Sequence, residues 1–342
     1  LAASGQLPFA REQFEETIQR GGIGVASSLQ AFAAAFEEAQ RQLTTGISAP
    51  LPQSDEIAQT KLPEVGPRLQ DMAQRVHNEF RPAAHAKLLA GIARLTDYQS
   101  ELYATLYLDR LVPLNQMAPA NDLGDDIVSE SARHLALWMS YEDTVRVADL
   151  KIRRSRFERV RLEVKQNEAQ QLDINEFLHP RLEEIADTLP TALGRWLLHT
   201  KWARQLVGRF TQQGRIVKTT SLRGYLLLYA VASLRVTRPY SLRYQIEQER
   251  ISTWLSSVTG LLKINEKLAL QVIRAQQLVK GYGDTHSRGW RNFQRLMKAL
   301  PQFQHEPDAA NKLQQLQKIA LSDDSEQALL TSLKAQGLLQ PS

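Results

Sequence analysis

None of the 342 residues is a cysteine. That absence excludes disulfides, thiolate nucleophiles, cysteine-ligated zinc and cysteine-held iron–sulfur clusters on this chain. Nothing in the composition requires an oxidising compartment. Long hydrophobic runs are absent as well. The longest apolar stretch, Tyr225–Leu234, falls far short of the ~20 residues that cross a bilayer. No basic-then-apolar segment opens the chain, so the expectation is a cytoplasmic protein without a membrane span. Leu1 stands where a Met would start translation, which reads as a fragment or a processed product. The familiar catalytic signatures are also missing: no GxGxxG, P-loop, HExxH, GxSxG or EF-hand loop occurs.

The most informative absence is of negative charge. The net charge of +5 is unevenly spread: residues 1–150 hold 12 Lys+Arg against 20 Asp+Glu, and residues 151–342 hold 30 against 17. From Thr188 to Ile246 there is no acid at all. The same stretch carries Arg195, Lys201, Arg204, Arg209, Arg215, Lys218, Arg223, Arg235, Arg238 and Arg243. One-signed charge of this kind suits an anion: nucleic acid, a phosphorylated cofactor or an acidic protein.

Helical periodicity is what the chain has in abundance. Helices are expected over 11–20 and 25–43. Residues 44–67 then carry Pro50, Pro52, Pro63 and Pro67 among polar residues, which reads as a linker. Residues 68–342 read as one helical domain of twelve stretches, among them 100–112, 123–166, 191–208, 221–236 and 241–257. Asp122, Ser221, Ser241 and Asp284 are good N-cap types. Only Ile216–Thr219 looks strand-like, and it is too short to found a sheet. The fold expected is mainly α, a multi-helix bundle-like domain.

Four local groups could carry chemistry. Lys280-Gly281-Tyr282-Gly283-Asp284-Thr285-His286-Ser287-Arg288 joins two expected helices. Its glycines, its helix start and its cations Lys280, His286 and Arg288 could cradle a phosphate or carboxylate. Equally it is a helix joint with Gly281 as the stop and Asp284 as the cap. Asp97-Tyr98-Gln99 with Tyr103, Tyr107, Asp109 and Arg110 could line a hydroxyl-rich groove, or form an aromatic core stripe with Asp97 as a cap. The charged run from Tyr141 to Lys165 has the acid-first pairs Glu142–Arg146 and Asp149–Arg153, as in a helix laced with its own ion pairs. In the acid-free stretch, Trp196, Trp202, Phe210, Tyr225, Tyr229, Tyr240 and Tyr244 interleave with cations, a mixture that can bind single-stranded nucleic acid. The competing reading turns the aromatics into the core, and the spacing of Leu222, Tyr225, Leu226 and Tyr229 favours it. The seven histidines show no metal-ligand spacing and read as solvated or hydrogen-bonded.

Several of these segments resemble a known family. They are Asp97-Tyr98-Gln99 with Leu106–Leu111, Met139–Asp143 with Arg146–Lys151, His179–Glu184, Lys218–Leu222 and Val279–His286. Together, and in this order, they resemble the C-terminal region of the β-subunit family of indolepyruvate ferredoxin oxidoreductase. Residues 1–43 look like the tail of the 2-oxoacid:acceptor oxidoreductase γ domain that precedes that region, with Leu7–Glu12 and Gly22–Phe36 as the matching part. The resemblance implies a subunit of a thiamine-diphosphate-dependent enzyme that oxidatively decarboxylates aryl 2-oxoacids. Thiamine diphosphate, Mg and the 4Fe–4S clusters would sit on a partner catalytic subunit. Ferredoxin or another acidic acceptor would take the electrons, and coenzyme A the acyl group. This region would be accessory, with no catalytic residue of its own. Lys280, Tyr282, His286 and Arg288, then Arg215, Lys218 and Arg223, are its expected anion contacts. Two other functions fit the residues alone: a basic helical nucleic-acid-binding protein, for which nucleic acid is the less expected partner, and a dimerisation scaffold that pairs the acidic part of one chain with the basic part of another.

Overall fold

A computed structural model describes residues 2–4, 9–20, 25–44, 66–167, 170–178, 181–211, 215–279, 281, 283–323 and 325–338. The chain is mainly α and divides into two compact units, Leu1–Thr60 and Lys61–Ser342. The first unit holds α1 (Arg11–Arg20) and α2 (Val25–Thr44). They pack through a row of phenylalanines: Phe9 on Phe14, Phe14 on Phe32 and Phe32 on Phe36, with centroids about 6 Å apart.

The second unit begins with α3 (Gln70–Glu79), α4 (His85–Tyr98), α5 (Glu101–Met117) and α6 (Asp122–Met139). Then come α7 (Thr144–Ile152), α8 (Arg154–Glu163), β1 (Asn175–Leu178), α9 (Leu182–Thr188), α10 (Thr191–His199), α11 (Lys201–Thr211), β2 (Arg215–Lys218) and α12 (Leu222–Ser233). It closes with α13 (Leu242–Leu262), α14 (Glu266–Ala275), α15 (Gly283–Phe303), α16 (Ala309–Ser322) and α17 (Gln327–Ala335).

Short polar side chains start these helices. Ser100, Asn121, Asp143, Ser221, Ser241 and Asn265 each accept a hydrogen bond from a first-turn backbone N–H. Asn121 takes the cap expected of Asp122. The stretch expected as one helix over 123–166 is three. Asp143 restarts the chain as the cap of α7, and Arg153, in extended backbone, separates α7 from α8. The i, i+4 ion pairs of this stretch gave no sign of either break, because such pairs form equally well on two short helices. Helix α5 runs through Pro113 to Met117 rather than stopping at 112. Residues 215–218 do found a sheet, a two-stranded antiparallel one that pairs Phe177 with Ile216 and Glu176 with Val217.

One large core joins α4, α5, α6 and α13 to α17 around Leu88, Ile92, Tyr107, Leu108, Leu135, Trp254 and Phe303. Gly91 is what lets Tyr107 lie against α4. A Cβ there would stand 2.6 Å from the phenol oxygen, which instead donates to the Ala132 carbonyl on α6 at 2.9 Å. Two small clusters lie apart from this core. Ala148, Val217 and Leu228 tie α7, β2 and α12 together. Ala186, Leu197 and Ala203 do the same for α9, α10 and α11. The acid-free stretch is thus held on small apolar footings, with much of its surface turned outward.

Candidate functional site: a buried arginine–tyrosine–carboxylate network and an exposed cationic face

The acid-free stretch sends three of its arginines inward, and each meets groups from outside the stretch. Arg235, in the turn after α12, donates to the Gln99 carbonyl at 2.6 Å and the Thr96 carbonyl at 3.3 Å, satisfying the C-terminal end of α4. Arg238 is buried. Its Nε and Nη2 donate to the two carboxylate oxygens of Asp143 at 2.6 and 3.1 Å, and its Nη1 donates to the Tyr98 carbonyl and Gln99 Oε1. The guanidinium carbon lies 4.1 Å from the Tyr98 ring centre. A hydrophobic wall of Tyr98, Tyr103 and Tyr141 surrounds this pair, and burial pushes all three phenols up, so they stay protonated. Asp97 does not cap. It accepts from Arg146 at 2.8 Å and Arg153 at 3.1 Å. Burial alone would raise its carboxyl, but the two guanidinium groups outweigh burial and hold it below the usual range.

Arg243, in the first turn of α13, opens a second buried cluster. The acids that bracket the acid-free stretch, Asp187 and Glu247, both face it, at 3.4 and 2.9 Å. Glu247 is 1% exposed and also accepts from Arg250 at 2.9 Å and from the Trp138 indole N–H at 2.7 Å. Arg250 lies over the Trp290 ring at 3.9 Å. His286 Nε2 is 3.1 Å from Arg243 Nη2 and accepts a hydrogen bond from it, which leaves the ring hydrogen on Nδ1. Burial, then the charges of Arg243 and Arg250, bring His286 down to about 4. Asp187 moves the other way: its burial raises it and outweighs Arg243.

A pH prediction follows. The depressed His286 stabilises the fold above the ordinary histidine pKa of 6.5, and this share is lost as pH falls from 6.5 towards about 4. The slope is at most about 1.4 kcal/mol per pH unit. Asp187 titrates in the opposite sense. His286→Gln removes the histidine share alone, so urea midpoints of wild type and variant converge between pH 7 and 5. A constant gap between them would contradict the assignment.

The expected anion contacts are not gathered into one place. Lys280 and Tyr282 lie outside the described residues. His286 and Arg288 belong to the first two turns of α15, where His286 serves Arg243 and Arg181 engages Asp284 through two hydrogen bonds. Arg215 and Lys218 sit on β2, with Lys218 on Asp173 at 2.7 Å. Arg223 is an exposed residue in the first turn of α12.

What sequence reasoning missed is Arg238, Arg243, Glu247 and Asp187. The signal available was Arg243, Glu247 and Arg250 at i, i+4 and i+7, straddling the end of the acid-free stretch.

A second feature is on the outside. Trp196 on α10 and Trp202 on α11 are 45% and 60% exposed and touch edge-to-face at 5.4 Å. The same two helices carry Arg195, Lys201, Arg204 and Arg209, all exposed and none paired with an acid among the described residues. The stripe of Leu222, Tyr225, Leu226 and Tyr229, expected to point into the core, points out; α12 is anchored instead by Gly224 and Leu228. Aliphatic spacing marks an apolar face but cannot say whether that face is covered. Among the described residues no group of three or more acids and histidines could hold a metal ion, and no helix is long and apolar enough to cross a membrane.

No curated protein and no solved structure matches the chain. A family model does match, over residues 84–299, which is more than half of the chain and takes in both the buried network and the exposed face. The chain belongs to the family of unknown function DUF6537.

Proposed function

We propose that this chain is the helical accessory region of a cytoplasmic, thiamine-diphosphate-dependent arylpyruvate:ferredoxin oxidoreductase, silent alone, and that it docks an acidic electron acceptor. The chemistry comes from the resemblance of the five motifs. The observation that carries the docking role is on α10 and α11, where four exposed cations, unpaired among the described residues, accompany an exposed tryptophan pair. Such a face suits an acidic protein: cations steer the encounter and the aromatic pair supplies a desolvated anchor. The residues here do not fit the redox cofactors themselves. There is no cysteine for a cluster, and the described residues gather no metal-ligand set. On this reading thiamine diphosphate, Mg and the 4Fe–4S clusters belong to the catalytic subunit. The motif segments supply structural contacts rather than the face itself: Asp97 with Arg146 and Tyr98 with Asp143 join α4 to the start of α7, and His286 joins α15 to α13.

Steady-state kinetics of the reconstituted enzyme tests this. Arg195→Glu with Arg204→Glu should raise the acceptor KM about tenfold at low salt, from roughly 0.2–1 kcal/mol per exposed charge contact with reversal added. The 2-oxoacid KM and kcat at saturating acceptor should stay unchanged. Coenzyme A kinetics of Lys280→Ala and Arg288→Ala test the segment before and within α15 separately. An unchanged acceptor KM in the reversed variant overturns the docking role. So does steeply salt-dependent retention of single-stranded nucleic acid that the reversal abolishes.

A further inference from the structure

The outer face of α12 calls for a different occupant from that of α10–α11. Leu222 is 74% exposed, Leu226 52% and Tyr229 55%, and with Tyr225 they form one continuous stripe at i, i+3, i+4 and i+7. Tyr225 and Tyr229 stack nearly parallel, 17° apart at 6.3 Å, so the aromatic part of the stripe is already ordered. The turn after the helix leaves Val236 and Tyr240 exposed by 76% and 73%. Burying a stripe of this size is what associating helices do, and a monomer gains nothing by displaying it.

We propose that α12 is a self-association surface, on which a second copy of this chain packs its own α12 about a two-fold axis. Charge favours this occupant. The helix holds one cation, Arg223, and no acid, so two copies meet without facing like charges across the stripe. The face of α10–α11 could not do this, because its four cations would oppose four more. A two-fold contact also needs no complementary partner: the patch is its own complement, and a residue near the axis meets itself. At roughly 100 Å² of exposed surface for each half-exposed large side chain, the six side chains of helix and turn offer about 600 Å² per partner, the low end of the standard interface range.

Charge pairing between the acidic and basic parts of two chains is the rival contact, and the salt dependence of the dimer separates the two. This inference does not rest on the proposed enzyme.

Sedimentation equilibrium of the 342-residue chain tests it. A dimer is expected that tightens or holds as salt rises, because apolar burial is not screened. Leu226→Asp with Tyr229→Asp should weaken it at least 100-fold, since each change acts twice across the axis. Arg204→Glu on α11 should leave it intact. The absence of cysteine allows a second readout that needs no weakened variant. Single substitutions Leu222→Cys, Leu226→Cys and Tyr229→Cys are oxidised one at a time, and at least one should cross-link to a covalent dimer, while Leu102→Cys, 82% exposed on α5, should not. A chain that stays monomeric at 100 µM, on the order of a weak interface's Kd, assigns the face to another protein and overturns the proposal. So does a dimer that salt dissociates, or one that survives the double substitution without cross-linking at α12.

Discussion

Asp143→Ala should cost the Lys61–Ser342 unit about 4 kcal/mol of unfolding free energy, and Asp143→Asn about 3. Two roles of one side chain separate in this pair. Asp143 Oδ1 caps α7 by accepting from the Arg146 N–H, and both carboxylate oxygens hold the Arg238 guanidinium. Asparagine keeps the cap and loses the charge; alanine loses both. A helix cap is worth about 1 kcal/mol, whereas stranding one member of a buried ion pair costs about 3–5 kcal/mol. Arg238 cannot turn to water, because its side chain is 2% exposed and its remaining donors are fixed on Tyr98 and Gln99. Urea unfolding followed by circular dichroism reads the loss. Adding Arg238→Met to Asp143→Asn should recover most of it, since removing both charges leaves no buried ion uncompensated. A loss below 1 kcal/mol in Asp143→Asn would mean that Arg238 reaches solvent in solution, and the two halves of the network would then be independent.

How much of this was legible depends on distance along the chain. The helical class, the caps Ser221 and Ser241 and the aromatic stripe Tyr103–Tyr107 follow from spacings of a few residues, which local backbone geometry converts directly into faces and starts. The Asp143–Arg238 pair spans 95 residues. Nothing local distinguishes Arg238 from Arg223, although one is buried on a carboxylate and the other stands in water. The acid-free stretch was visible at once, but its division was not. Of its inward arginines, Arg238 and Arg243 find acids far before it or just beyond its ends and Arg235 finds backbone carbonyls, while Arg195, Arg204, Arg209 and Arg223 find no acid among the described residues. The exposed stripe of α12 failed for a related reason. Periodicity reports that a helix has an apolar side, and only the packing partners decide which side is covered. Where Gly224 and Leu228 already seat the helix, the larger stripe is left over. A leftover face of this kind is more informative about partners than a buried one would have been.

The same logic makes Glu247 the second sensitive position. Glu247→Leu should lower unfolding free energy by about 4 kcal/mol, and Glu247→Gln by about 2. The carboxylate is 1% exposed and compensates Arg243 and Arg250 while accepting the Trp138 N–H. Leucine leaves two guanidinium groups facing each other across a dry space, with only Asp187 and a neutral His286 nearby. Glutamine still accepts from the indole or one arginine, so the loss is smaller. The damage should also be directional. Glu247 joins α13 to α6 through Trp138, and Arg243 joins α13 to α9 and α15, so hydrogen exchange should quicken first in α9 and the start of α15. The core helices α4 and α5, held by Tyr107 and their own leucines, should keep their protection. The Arg250→Met change, made alone, tests whether charge or volume is responsible. It removes one cation but keeps an apolar stem against Trp290, and so should cost less than Glu247→Leu. If the two substitutions cost the same, packing on Trp290 rather than charge compensation holds this end of α13, and the acids bracketing the acid-free stretch lose their structural role.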